Sequence, residues 1–177
     1  MAGFTAANKL YGVLEMASLS YGYAITTYVG QNLGAKKYRR IRNGVRSGVY
    51  MALITSIVIS GVMVITGRNI LSLFVSGEAG QVKQVLDIAY KYLFIMAIFL
   101  WVLYLLYVYR SAIQGLGNTL IPLASGVVEF CMRVGVALLL PKLIGEDGIF
   151  YAEISAWSGA AILLIVSYVV IIRKYKE

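Results

Sequence analysis

The feature that most constrains this chain is a series of five apolar stretches separated by short polar connections. They cover residues 10–33, 45–66, 85–109, 119–140 and 149–172. A helix needs about 20 predominantly apolar residues to cross the hydrocarbon of a bilayer, and each stretch reaches that length. None alternates with a period of two, the pattern of a membrane barrel strand, so helices are the remaining way to cross. We therefore predict an all-α membrane protein, residues 1–177, built as a single lobe: a bundle of about five transmembrane helices.

The composition supports this prediction and excludes several classes of function. The 177 residues are 60% hydrophobic and 14% charged, whereas soluble chains are about a quarter charged and under half apolar. There is no histidine and one cysteine, Cys131, which excludes Cys/His metal sites, internal disulfides and histidine-dependent catalytic triads. We expect no enzyme activity, no cofactor and no metal other than Na⁺. The net charge is +8, and the basic residues lie between the apolar spans. This placement is explained by the orientation of a membrane protein, so we do not infer a nucleic-acid partner from the charge.

The distribution of Lys and Arg predicts the orientation, because these residues accumulate in short cytoplasmic loops. One group follows the first, third and fifth spans: Lys36, Lys37, Arg39, Arg40, Arg42, Arg46, Arg110, Arg173, Lys174 and Lys176. The other end carries Lys9, Arg68, Lys83, Lys91 and Lys142, diluted by Glu78, Glu146 and Asp147. We predict a multi-pass protein of the inner (plasma) membrane with its N-terminus outside and its C-terminus in the cytoplasm. An N-terminus outside the membrane and an odd number of helices are both unusual for a membrane protein built from paired halves, so we expect a fragment of a larger protein.

Small residues recur on one face of two predicted helices. On the second span the stripe is Gly44, Gly48, Ala52, Ser56 and Ser60, and on the first it is Glu15, Ser18, Gly22 and Thr26. Such stripes let membrane helices approach closely, so we predict two packing faces. On the first span Glu15 leaves a cavity-facing role open as well.

Four ionisable residues are candidates for substrate binding or ion coupling, since a charge near the centre of a membrane helix costs at least ~2.5 kcal/mol. Glu129 and Arg133 lie four residues apart in the fourth span, so we expect them to neutralise each other. Either this pair locks the helix against its neighbours, or Glu129 binds a proton or cation while Arg133 sets the charge balance. Asp87 and Glu15 lie nearer span ends. Each either reaches interfacial water or faces a cavity and binds a proton, Na⁺ or a cationic substrate.

Other polar and aromatic groups receive structural interpretations. Glu153, with Trp157 one turn later, predicts a wet helix end with an interfacial aromatic anchor. The aromatic side chains of the third span predict mainly an interface belt, with cation binding as the alternative. Residues 115–119 lack the Gly-Lys-Ser/Thr ending of a phosphate loop and predict a tight interhelical turn, in which Asn118 or Thr119 caps the next helix.

These turn sequences, in this order, resemble the multidrug and toxic compound extrusion (MATE) family. The similar positions are residues 29–35 with Gln31 and Gly34, the basic loop, residues 70–74, then Gln114, Gly115, Gly117, Asn118, Thr119, Pro122, Glu129, Arg133, Ala152, Glu153, Ala156 and Trp157. Such proteins have twelve helices in two six-helix lobes around a substrate cavity. The resemblance implies helices eight to twelve here, without the first lobe and the seventh helix. It also implies a coupling carboxylate on the tenth helix, where Asp87 is the only acidic residue.

The resemblance implies part of a secondary active antiporter that exports cationic amphipathic compounds in exchange for Na⁺ or H⁺. The expected partners are the bilayer, a missing N-terminal lobe and a cationic small molecule. One alternative is a flippase for a lipid-linked sugar from the wider superfamily, which would need a cationic cavity. Another is a non-transporting membrane assembly or interaction protein, the product of a truncated gene.

Overall fold

Six α-helices make up most of the part of the chain that the computed structural model describes, residues 2–74 and 79–175. In chain order they are α1 (Ala2–Gly34), α2 (Tyr38–Ser72), α3 (Ala79–Ile98), α4 (Leu100–Gly115), α5 (Leu120–Ile144) and α6 (Phe150–Lys174), with a 3₁₀ turn at Glu146–Ile149. No strand occurs in these ranges, so the all-α prediction is confirmed. Of the charges used to predict the orientation, Glu78, Lys176 and the side chains of Lys9, Glu146 and Asp147 lie outside the described residues.

The third predicted span is a bent pair of helices rather than one rod. α3 and α4 meet at Phe99 at an angle of 49°, and α4 continues to Gly115, past the predicted end at residue 109. Arg110 therefore lies inside a helix, which corrects its assignment to a loop. A charged residue after an apolar stretch normally ends a predicted span. The sequence does not show that a neighbouring helix supplies a partner for this charge.

Three helices, α2, α5 and α6, are long and apolar enough to cross a bilayer alone, and the bent α3–α4 pair counts as a fourth span if the two helices cross as one broken segment. Although α1 has 33 residues, it does not meet the same criterion of apolarity. Polar residues such as Glu15, Ser18 and Ser20 interrupt its apolar stretch. The fold agrees with a membrane bundle, and the count of about five spans stays a prediction that depends on α1.

The central helix is α4, which packs against α1, α2 and α6. Its buried face includes Tyr104 and Leu106, and Trp157 of α6 belongs to the same hydrophobic core with only 2% of its surface exposed. The predicted interfacial anchor at Trp157 is therefore wrong, because Trp157 lies on the buried face of α6 with Ala160, Ala161 and Leu164. The aromatic belt of the third span is also only partial, since Tyr92 and Tyr104 are buried.

The fourth predicted span, α5, packs chiefly on α6 and leaves much apolar surface uncovered. Its exposed large side chains include Leu120, Leu123, Val127, Phe130, Leu138, Leu139 and Leu143. Apolar surface of this extent is unusual for a monomer in water. It suits a helix that faces lipid or another part of a larger membrane protein.

The small-residue stripe of α2 is a packing face, as predicted. Gly48, Ala52 and Ser56 are buried, and Ser60 Oγ donates a hydrogen bond of 2.5 Å to the carbonyl oxygen of Ala97 on α3. Gly44 lies so close to the ring of Tyr28 on α1 that a Cβ would overlap it. The stripe thus brings α2 against both α1 and α3.

The turn between α4 and α5 also agrees with its prediction. Gly117 adopts a φ of +82°, which a residue with a side chain rarely adopts. Asn118 Oδ1 accepts a 3.1 Å hydrogen bond from the backbone N–H of Ile121, so Asn118 rather than Thr119 caps α5, and Pro122 falls in the first turn of α5. At the end of α1 the residue with positive φ is Lys36 rather than Gly34, which is the last helical residue.

Gly115 generates a prediction about stability. An added Cβ would lie 2.7 Å from Val29 Cβ and 2.9 Å from the carbonyl oxygen of Thr26, so Gly115→Ala forces α4 away from α1 at a cost of about 1–3 kcal/mol. The apparent melting temperature in detergent should fall. Gly126→Ala on α5 is the matched control, because nothing lies within 4 Å of its Cβ position. Equal melting temperatures for the two variants would contradict the close approach.

Candidate functional site

A line of polar side chains connects α1, α4 and α5 within the bundle. Tyr107 Oη donates a 2.7 Å hydrogen bond to Glu15 Oε1. One turn further along α4, Arg110 Nη2 donates to Ser125 Oγ at 3.1 Å and forms an ion pair with Glu129. We call Glu15, Tyr107, Arg110, Ser125 and Glu129 the polar cluster.

Helical spacing and the α4–α5 turn position these groups. Tyr107 and Arg110 lie three residues apart on α4, and Ser125 and Glu129 lie four apart on α5, so each pair shares one helix face. The turn folds α5 back beside the end of α4, which brings the two faces together. Ser125 Oγ donates a 2.7 Å hydrogen bond to the carbonyl oxygen of Pro122, and this fixes the orientation of the hydroxyl that Arg110 contacts.

The polar cluster is largely shielded and contains two carboxyl groups but one guanidinium. The side chains of Arg110 and Glu129 expose only 21% and 18% of their surface, so their attraction is weakly screened. Arg110 neutralises Glu129, whereas the contact described for Glu15 is a neutral phenol. With both carboxylates ionised, the cluster bears one net negative charge.

A cavity of about 200 Å³ adjoins the polar cluster. It is lined by Leu19, Gly22, Tyr23, Thr26, Tyr107, Arg110, Ser111 and Gln114. Tyr107 and Arg110 belong to both, so a molecule in the cavity would contact Arg110 directly and would lie one side chain away from Glu15, through Tyr107, and from Glu129, through Arg110. Gly22 keeps the α1 wall thin, since a Cβ there would be only 2.8 Å from Ser111 Oγ.

The expected pairing of Glu129 with Arg133 is wrong. Arg133 Nη2 binds Glu153 Oε2 of α6 at 2.8 Å, while Glu129 pairs with Arg110 of α4. A pair four residues apart on one helix contributes only ~0.2–0.5 kcal/mol, so partners from neighbouring helices displace it. Glu153 is consequently a partner in an interhelical ion pair rather than a free, wet helix end.

Asp87, the candidate implied by the resemblance, occupies a different setting. Its Oδ1 pairs with Arg68 Nη2 of α2 at 2.6 Å, and both side chains are about half exposed, at 51% and 53%. This geometry fits the interfacial alternative for Asp87, and an ion-coupling role for it stays a prediction. Of the motif positions, Gln31 and Gln114 are exposed, and Gln114 lines the cavity beside the cluster.

Sequence reasoning missed Tyr107, Arg110 and Ser125. The available signal was the turn at residues 115–119, because residues that precede a tight turn face those that follow it at a similar distance. Arg110 lies five residues before that turn and Ser125 lies six residues after it, and Glu129, opposite in charge to Arg110, follows Ser125 by about one helical turn. Tyr107 had no such signal, since its partner Glu15 lies 92 residues away in the chain.

The corrected pairing yields a prediction about charge exchange. Glu129→Arg alone and Arg110→Glu alone each place like charges together inside the bundle, which should cost at least about 1 kcal/mol and reduce the yield of folded protein. The double variant R110E/E129R restores opposite charges and should recover most of that yield, measured by size-exclusion chromatography in detergent. The matched control E129R/R133E should not recover it, because it places a second cation beside Arg110 and a second carboxylate beside Glu153. If E129R/R133E recovered the yield of folded protein and R110E/E129R did not, Glu129 would pair with Arg133 on the same helix and the Arg110–Glu129 pairing would be wrong.

Comparisons with known proteins agree with this architecture. A family model described as MatE matches residues 1–139. A curated relative, the probable multidrug resistance protein YoeA of Bacillus subtilis (strain 168), is 25% identical over 153 residues, which are 86% of this chain and 28% of the relative. The chain therefore spans less than a third of that relative's length.

Two solved structures share the fold. One is a multidrug resistance MATE family transporter of the MOP superfamily in an inward-facing conformation, with a TM-score of 0.88, 18% identity, and coverage of 98% of this chain and 40% of that chain. The other is a MOP superfamily transporter from Pyrococcus furiosus, reported with a binding pocket of reverse polarity that suggests a different function. Its TM-score is 0.89 at 18% identity, with coverage of 99% of this chain and 39% of that one. Since the family model covers well over half of the chain and the helices superpose on part of a transporter of this kind, the chain belongs to the MatE family, the multidrug and toxic compound extrusion transporters.

Proposed function

We propose that this chain forms the second lobe, helices eight to twelve, of a secondary active antiporter that exports cationic amphipathic compounds in exchange for Na⁺ or H⁺. The observation that carries the proposal is the polar cluster, with two carboxyl groups and one guanidinium, beside the cavity between α1 and α4. Family membership supports transport as the class of function. The partners are the bilayer and a first lobe, which would complete the path around this cavity.

Glu15 is the group that binds the coupling ion in this proposal. Its carboxylate accepts one hydrogen bond from Tyr107 and keeps further lone pairs for a proton, Na⁺ or a cationic substrate. Glu129 is less suited to that task because Arg110 already neutralises it. Arg110 instead limits the cluster to a single negative charge, enough to attract one cation at a time.

Exchange follows from competition for that one charge. A cationic substrate is stabilised beside ionised Glu15, and a proton or Na⁺ on Glu15 removes the attraction. Binding of the ion and of the substrate then oppose each other, and the coupling is reciprocal by linkage. If the two lobes rock around this site, as in transporters of paired halves, the ion gradient drives the substrate outward.

The charge of the cluster argues against the flippase alternative. A lipid-linked sugar carries anionic phosphate, which a cluster with two carboxylates and one guanidinium would repel. Arg133, the other arginine deep in the predicted spans, is paired with Glu153. The assembly-protein alternative predicts that the complete gene product moves no solute.

In this proposal the protein lies in the inner (plasma) membrane, and the basic connection between α1 and α2 faces the cytoplasm. Its support is the concentration of Lys and Arg at residues 36–46 and 173–176. Glu15 then lies towards the outer half of the first span, where a cavity open to the outside would reach it.

Glu15→Gln generates the functional prediction. The variant keeps the shape of the side chain and removes its charge, so ion-driven efflux of a cationic dye by the complete gene product should fall at least about tenfold, the factor that corresponds to ~1.4 kcal/mol. Efflux would be measured as uptake of the dye into inverted membrane vesicles under an imposed H⁺ or Na⁺ gradient, because the cytoplasmic face of the membrane is outside in such vesicles. Tyr107→Phe, which keeps the carboxylate, should reduce efflux less than Glu15→Gln does.

Two comparisons make this experiment decisive. Ser20→Ala on α1, an exposed side chain that bonds only to the carbonyl of Met16 among the described contacts, reports on handling and folding and should transport normally. Asp87→Asn tests the competing carboxylate. If Asp87→Asn abolishes efflux and Glu15→Gln retains it, the ion site lies at Asp87 and the proposed role of Glu15 is wrong.

A further inference from the structure

A second charged region lies at the end of the bundle where α2 begins. Lys36 and Lys37 precede α2, and Arg39, Arg40, Arg42 and Arg46 follow in its first turns, with no acidic residue in the first turn. The N-terminus of a helix is the positive end of its dipole, so cations there destabilise it and anions stabilise it. This sequence therefore places positive charge where the helix itself favours an anion.

Two arginines of α2, Arg42 and Arg46, border a cavity of about 420 Å³ formed with α4 and α6. Arg42, Arg46, Tyr50, Tyr109 and Tyr168 contribute to its lining, together with aliphatic side chains of α2 and α6. Arg42 and Arg46 lie one turn apart, on the same face of α2. Two like charges at this spacing repel each other unless an anion lies between them.

Contacts already hold the two guanidinium groups beside the cavity. Arg42 Nη2 donates to the carbonyl oxygens of Tyr175 at 2.5 Å and Ile172 at 3.4 Å, at the end of α6. Arg46 lies over the ring of Tyr50, with 5.6 Å from its guanidinium carbon to the ring centroid. A guanidinium has five N–H groups, and the bonds described for Arg42 use one nitrogen. Further donors therefore remain for an oxyanion.

Tyr168 supplies an independent observation. It lines the same cavity, only 8% of its surface is exposed, and its hydroxyl is buried with no hydrogen-bond partner among the described residues. A buried hydroxyl without a partner is costly and rare. The ring of Tyr109, at 5.4 Å between centroids, holds the Tyr168 ring in place. The hydroxyl is closed to solvent in this structure, so an acceptor oxygen in the cavity would satisfy it after a small local movement of side chains.

We propose that this cavity binds the phosphate of an anionic phospholipid, with Arg42, Arg46 and Tyr168 as its ligands. Arginine recognises phosphate oxygens with paired, charge-assisted hydrogen bonds, and the Tyr168 hydroxyl adds a donor. The aliphatic part of the lining, Val45 and Val49 of α2 with Ile172 of α6, matches the glycerol and the start of the acyl chains. Basic pockets between membrane helices recognise anionic head groups in this way. The inference does not depend on the transported substrate.

The test uses the complete gene product purified in a neutral detergent, with bound lipid measured by native mass spectrometry during titration with phosphatidylglycerol. Phosphatidylglycerol should bind at least about tenfold more tightly than phosphatidylcholine. Arg46→Gln should weaken phosphatidylglycerol binding about tenfold, as expected for loss of a charge-assisted bond. Arg39→Gln is the matched control, because it removes the same charge from the same helix without touching the cavity lining, and it should change binding less than about twofold.

Tyr168→Phe keeps the test valid if Arg46→Gln does not fold, since it deletes only the buried hydroxyl. It should weaken phosphatidylglycerol binding severalfold and leave the melting temperature of the lipid-free protein unchanged or higher. Equal weakening by Arg39→Gln and Arg46→Gln would show diffuse attraction to the basic end and overturn the site. Displacement of the lipid by millimolar inorganic phosphate would show a free-anion site and overturn the lipid assignment. Equal binding of the two lipids would overturn the proposal as a whole.

Discussion

The structure depends on neutralising charge where water is scarce. Within the described residues, the two charges in the middle of α5 find partners on the helices at either side: Glu129 binds Arg110 of α4, and Arg133 binds Glu153 of α6. α5 leaves much of its apolar surface exposed, packs closely on α6 and has little contact with α4. The ion pair of Glu129 with Arg110 is therefore a main link between α5 and α4, whereas the pair of Arg133 with Glu153 adds to an extensive α5–α6 contact. Unpaired, each charge would cost free energy in hydrocarbon. The same requirement makes Glu15, whose described partner is a phenol, the group that stands out.

Charge is distributed unevenly along the helices, and this separates two kinds of binding chemistry. The polar cluster between α1, α4 and α5 has one more carboxylate than guanidinium, which favours a cation within the bundle. The start of α2 and the end of α6 gather arginines around an amphipathic cavity, which favours an anion at the bundle end. Small residues such as Gly22, Gly48 and Gly115 allow the close helix packing that supports both regions.

The sequence predicted what is local along the chain. Apolar runs predicted the helices, the small-residue stripe predicted the packing face of α2, and residues 115–119 predicted the turn. It did not predict what depends on neighbours from distant parts of the chain. Arg110 looked like a loop residue because its partner Glu129 lies beyond the turn, and Trp157 looked like a surface anchor although it fills the core. The bend at Phe99 could not be predicted from the local sequence either, since apolar residues continue on both sides of it.

The most direct measurement of this account is the distance between arginine guanidinium nitrogen and glutamate carboxyl carbon in the complete gene product reconstituted in bilayers. Solid-state magnetic resonance on isotope-labelled protein provides it, and Glu129→Gln assigns the signal by difference. The account predicts a strong dipolar coupling between Arg110 and Glu129, as in an ion pair with nitrogen and oxygen within about 4 Å, and none between Arg133 and Glu129. A coupling of Glu129 to Arg133 with none to Arg110 would contradict the account, because the polar cluster would then not exist.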